Sequence, residues 1–208
     1  MNSPIDIYAT GIPSEHGNLG YYNLLNWWDK EFTNSQKQYL VVKYKPMGGA
    51  GNLETGNIIE SSTSVINFLV GLQSWFTNLS DENISEKILL KAESLITTSI
   101  PILDIHFLYS CFVEHYYKKR NIDPRFYDLA KLYCEKQIEI SQKAKEMFLK
   151  EFPTSKLPRH MGFEQLAIIL EKEKKYIEAI ELCIKAKIMG WNTDWPKRIT
   201  RIANKQSR

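Results

Sequence analysis

The sequence predicts an all-α protein, and three observations carry that expectation. Apolar residues recur at helical spacing from about residue 19 to the end of the chain. Most of these segments open behind a Ser, Thr or Asp suited to capping a helix start. No apolar run has an evident partner strand.

Tyr21, Leu24, Leu25 and Trp28 follow the i, i+3, i+4, i+7 rule and predict a first helix over 19–32. Ser35-Gln36-Lys37-Gln38 resembles a capping box and predicts a second helix that ends before Pro46. Tyr39–Tyr44 is also good strand material, and the cap favours helix. Met47–Asn57, with Gly48, Gly49, Gly51 and Gly56, reads as a flexible connection. It lacks the Gly-Lys-Ser/Thr ending of a phosphate loop. Ser61-Ser62-Thr63 caps a third helix with the stripe Val65, Phe68, Leu69, Leu72, Trp75 and Phe76. A fourth follows Ser80-Asp81, with Ile84, Ile88, Ala92, Leu95 and Ile96 inward.

Pro101 suits the first turn of a fifth helix that runs through Phe107, Tyr109, Phe112 and Tyr116 to Lys118-Lys119-Arg120. Asp123-Pro124 restarts the chain as a sixth, with Phe126, Leu129, Tyr133, Ile140 and Met147 on one side and a candidate interruption at Ile140-Ser141. Helices over 160–173 and 176–189 follow the loop Pro153–Pro158. A last one starts near Asp194-Trp195-Pro196, with Ile199 and Ile202 inward.

Composition narrows the class. A hydrophobic share of 43% and a charged share of 25% are those of a globular protein rather than a disordered one. The N-terminus has no secretion-signal pattern, and no apolar run approaches the ~20 residues of a membrane span, so a cytoplasmic protein is expected. Cys111, Cys134 and Cys183 are odd in number, far apart and set among apolar neighbours, as buried thiols would be. Residues 195–208 carry Lys197, Arg198, Arg201, Lys205 and Arg208 and no acid. The 27 basic residues less these five leave 22 against 24 acidic ones, so the body is slightly acidic and the basic charge is local. That distribution argues against nucleic acid as the partner.

No catalytic or metal constellation emerges. Cys111 and His115 share a helix face at i, i+4, but two ligands do not make a zinc site. No base and orienting group accompany Cys111 or Cys134 in sequence. Carboxylates such as those of Glu171-Lys172-Glu173-Lys174-Lys175 read as solvated surface. Trp28 and Trp75 read as core, and Trp27 as packed elsewhere on the same helix. No cofactor is expected.

Phe163–Lys187 resembles a tetratricopeptide repeat, a helical hairpin of about 34 residues. Phe163 stands at the family's Trp, Leu166 at its leucine and Ala167 at its small glycine; Leu170 takes an aromatic place and Tyr176 opens the second helix. Ala179 and Ala186 are the small crossing residues, with Cys183 between them, while Trp191 replaces the terminal proline. The whole chain is also similar to small uncharacterised bacterial or phage proteins of this kind. The resemblance implies a short α-solenoid of about three helical hairpins over 61–208, an N-terminal helical extension over 1–60 and a basic C-terminal capping helix.

By the same resemblance the expected function is a non-catalytic adaptor that holds a peptide or protein segment, with Glu164, Ile168, Glu171 and Lys172 facing the groove. Lys197, Arg198, Arg201 and Lys205, spaced to form a stripe, would engage an acidic partner or phosphates. One alternative is a sensor or sponge with an enclosed pocket for a small anionic, nucleotide-like ligand. Another is an enzyme whose site lies between the N-terminal extension and the solenoid and uses His106 or His115 with a carboxylate. Homo-oligomerisation is compatible with each.

Overall fold

The computed structural model describes residues 11–46 and 53–207, so Met1–Thr10, Met47–Asn52, including Gly48, Gly49 and Gly51, and Arg208 of the basic tail lie outside the described residues. Within these limits the protein is all-helical, with no β-strand and only two isolated bridges. The chain divides into two compact units, Met1–Asp104 and Ile105–Arg208.

The first unit holds α1 (Gly17–Tyr21), α2 (Leu25–Glu31), α3 (Asn34–Lys43), α4 (Val65–Gln73) and α5 (Glu82–Ser94). The single helix expected over 19–32 is two helices. Asn23 adopts φ +55°, a left-handed conformation that an i→i−4 ladder cannot pass through. The cap of α3 is Thr33, two residues earlier than expected: its hydroxyl accepts from Gln36 N at 3.3 Å and Gln36 Oε1 accepts from Thr33 N at 3.1 Å. Helix wins at Tyr39–Lys43, and Leu40 is fully buried.

Ser64, rather than the three residues before it, caps α4 through Asn67 N. Ser61 and Thr63 instead surround the Tyr22 hydroxyl, which donates to the Thr63 carbonyl at 2.8 Å. α4 ends before Trp75, which is exposed instead of core. The described end of the glycine-rich connection is packed, because Leu53 is buried and its carbonyl accepts from Leu19 N at 3.0 Å. Trp28 is buried as expected, and its indole N–H donates to Glu54 at 2.7 Å.

α6 (Ile102–Lys118) begins at the boundary, and the second unit continues with α7 (Pro124–Glu139), α8 (Ser141–Glu151), α9 (Met161–Lys172), α10 (Tyr176–Met189) and α11 (Trp195–Gln206). The interruption at Ile140-Ser141 separates α7 from α8. Phe107 is exposed, whereas Phe112 stacks on Tyr133 at 3.9 Å between ring centroids.

α9 packs on α7 and on α10, and α11 packs on α10. The residues at these crossings are small: Ala130, Cys134, Ala167, Ala179, Cys183 and Ala186 are all fully buried. Small side chains let two helix axes approach while larger neighbours fill the flanking grooves. Gly162 completes the α7–α9 contact, because a Cβ there would lie 2.8 Å from the Cys134 carbonyl oxygen. Gly190 closes α10 with φ +88°, a left-handed cap suited to glycine.

Candidate functional site

The expected basic stripe is largely committed inside the protein. Asp194 caps α11 by accepting from Lys197 N at 3.1 Å. Arg201 and Lys205 both reach Glu171, at 2.5 and 2.6 Å, and Arg198 lies 3.8 Å from Glu164. Arg159 forms a second, bidentate pair with Glu164. Glu164 and Glu171 therefore sit under the final helix, each with its side chain only 8% exposed.

Burial pushes the Glu171 carboxyl up, but the Lys205 hydrogen bond and the Arg201 and Lys205 charges outweigh it and hold it below the usual range. Glu171 is thus no solvated surface acid. Of the other expected site residues, Ile168 is half-buried, Lys172 is exposed and donates to the Tyr117 hydroxyl at 2.9 Å, and Lys197 is exposed. Because the seam is charge-specific, Glu171→Lys is expected to lower stability by about 2–3 kcal/mol. Adding Arg201→Glu and Lys205→Glu should recover part of that in urea denaturation. A triple variant no better than the single one would show that these pairs do not hold α11.

The histidines occupy the core of the second unit. His106 stacks on Trp191, with ring centroids 5.6 Å apart and planes within 8°. His160 meets both rings edge-on at 5.0 and 4.6 Å, and all three residues are buried. Gln137 ties the cluster together. Its amide donates to the His106 carbonyl at 2.9 Å and its oxygen accepts from Gly162 N at 2.6 Å.

His160 is also the cap of α9: Nδ1 accepts from Phe163 N at 3.3 Å, which puts the ring proton on Nε2. Among the described residues, Nδ1 of His106, Nε2 of His160 and Nε1 of Trp191 have no hydrogen-bond partner. Burial lowers His106 to about 4, and burial with the charge of His106 lowers His160 to about 3. His115 lies on another stretch of α6 beside buried Lys119 and is lowered to about 3, first by burial and then by the Lys119 charge. No carboxylate acts on His106 or His160 among the described residues, so the arrangement does not make an acid–base couple.

The cysteines are buried or half-buried, and burial pushes the Cys111 thiol up to about 12 and that of Cys183 to about 11. Cys134 is raised likewise. Neutral thiols of this kind are poor nucleophiles at pH 7.

The feature that sequence reasoning missed is an open groove of about 590 Å³ where the α7–α8 break faces α10. Ile138, Ile184, Ile188 and Met189 form its apolar surface, and Glu139, Glu181 and Lys185 stand among them. Ile188 is 77% exposed and Ile184 41% exposed. The signal existed in outline: the helix interruption was legible, and α10 carries isoleucines on the side opposite its alanines. Their exposure was not, because an apolar residue at helical spacing reads as core until its partner helix is known.

Among the described residues no helix is long and apolar enough to cross a membrane. Compared with known protein families, with characterised proteins and with solved structures, the chain matches none of them.

Proposed function

We propose that this chain is a non-catalytic protein-interaction module that takes an apolar segment of a polypeptide partner in the groove between α10 and the α7–α8 break. The observation that carries the reading is the pair Ile184 and Ile188, large aliphatic side chains left in solvent beside Ile138 and Met189 in one concave site. Large aliphatic side chains gathered in one concave site give a partner's apolar side chains a place to be buried.

A tetratricopeptide-like scaffold in the second unit is part of the proposal. Its support is the hairpin α9–α10, with Phe163 buried at its start and Ala167, Ala179 and Ala186 buried at its crossings. A cytoplasmic setting is supported by three free cysteines, which a reducing compartment tolerates. The surface differs from the one the family resemblance implies, since the acids on α9 are neutralised by α11 and the open apolar surface lies on α10.

A displayed peptide library panned on the protein tests this reading. Enriched sequences are expected to carry apolar anchors at helical spacing. Ile184→Asp and Ile188→Asp, which alter exposed positions, should keep the helical circular-dichroism signal while weakening those peptides by roughly tenfold or more. Binders that tolerate both changes would remove the groove from consideration.

A further inference from the structure

The occupant of this surface follows from the charge order along α10. At 3.6 residues per turn, Ile177, Glu181, Ile184 and Ile188 fall within about 60° of arc and run for about 17 Å along the helix. Ile177 is 61% exposed, so the apolar stripe extends beyond the groove itself toward the start of α10. Glu178 and Lys185 are seven residues apart and share one flank of this stripe; Lys185 lines the groove, and Glu178 stands beyond it, where the Lys175 charge acts on it. The acids Glu178 and Glu181 thus occupy the N-terminal half of the face and Lys185 the C-terminal half, and all three are exposed. None of the three forms a salt bridge among the described residues.

A partner of uniform charge would meet one half of this face well and the other badly. A copy of the same helix running the opposite way meets both halves well. A two-fold axis perpendicular to the paired helices brings the same flank of each together with its direction reversed. Lys185 of one protomer then stands against Glu178 or Glu181 of its partner, and the reverse pair follows by symmetry. Ile177 of each comes to rest near Ile184 and Ile188 of the other. A parallel arrangement would instead bring opposite flanks together, so Lys185 would meet neither Glu178 nor Glu181 of its partner.

We propose that the occupant is a second copy of this chain, docked antiparallel with α10 against α10 across a two-fold axis. The proposal rests on the reading of this face as a docking surface and names its partner. With a contact of three helical turns the dimer is small, with an affinity of roughly micromolar order.

Sedimentation equilibrium of the full chain over a range of loadings tests it. The wild-type mass is expected to rise from one chain toward two. Ile188→Asp should remain a monomer with an unchanged helical signal. Two charge variants decide the orientation: Glu178→Lys/Glu181→Lys makes the flank wholly basic, and Lys185→Glu makes it wholly acidic. Each should be monomeric alone, while an equimolar mixture should recover a dimer containing one chain of each.

A wild-type chain that stays monomeric up to about 0.5 mM, well above the expected constant, would overturn self-association. The peptide-binding result would still stand or fall separately. A dimer indifferent to Ile188→Asp and to both charge variants would also overturn the proposal, since its interface would then lie elsewhere.

Discussion

Trp191→Ala is expected to cost the second unit about 3–5 kcal/mol, the range for truncating a fully packed indole. Trp191 is 2% exposed, and its ring touches His106, His160 and Phe148 at once. It joins α6, the start of α9 and α8 at one point, so its removal leaves a cavity that no single helix can close. Its carbonyl also accepts from the Trp195 indole at 2.7 Å, which seats the start of α11. Trp191→Phe keeps an aromatic slab in that place and should cost about 1–2 kcal/mol, because most of the contact survives. Urea denaturation followed by circular dichroism measures both. A loss for alanine below about 1 kcal/mol would mean the cluster is not the centre of this unit.

The second large effect is acid sensitivity. Unfolded, His106, His115 and His160 take up protons near their ordinary value of 6.5; folded, they resist to about 4, 3 and 3. Below pH 6.5 the unfolded chain therefore binds more protons than the folded one, and stability falls as pH falls. Each such group contributes a slope of about 1.4 kcal/mol per pH unit, so three give about 4 near pH 5.

His160 has a second reason to resist charging. Protonation would turn the Nδ1 acceptor that caps α9 into a donor, and would set a positive charge at the positive end of the helix. The urea midpoint should drop markedly between pH 7.5 and pH 5.0, a window above the ordinary carboxylate values of 3.8 and 4.5; Asp104, which burial raises, acts in the opposite sense, as one group against three. His106→Gln with His160→Asn removes two of the three charging groups and should flatten the slope, and equal midpoints for the wild type at the two pH values would refute it.

What the sequence made legible and what it hid divide along physical lines. The positions of α9, α10 and α11 were readable because their apolar residues repeat at helical spacing and Gly190, Asp194 and Pro196 punctuate them. The division of the first helix at Asn23 was not, since nothing in Tyr21–Trp28 breaks the period; a single left-handed residue does it. The cap of α4 was misplaced because Ser61, Thr63 and Ser64 all offer a hydroxyl, and only the position of Tyr22 decides which of them faces the helix.

The same holds for the candidate site. Periodicity could say that Arg198, Arg201 and Lys205 form a stripe, but not that Glu164 and Glu171 lie opposite it, because that pairing joins helices some thirty residues apart. Nor could it say that His106 and His160 share one aromatic cage.

The sequence by itself determined the helical class, the presence of most of the helices and the ends marked by Asp123-Pro124, Gly190 and Asp194, all of which depend on neighbours within a few residues. Tertiary structure alone decided which charges are spent on each other, which histidines are sealed from water and which isoleucines remain outside. Those outcomes depend on which faces meet, and a face is matched or left open by residues far away in the chain.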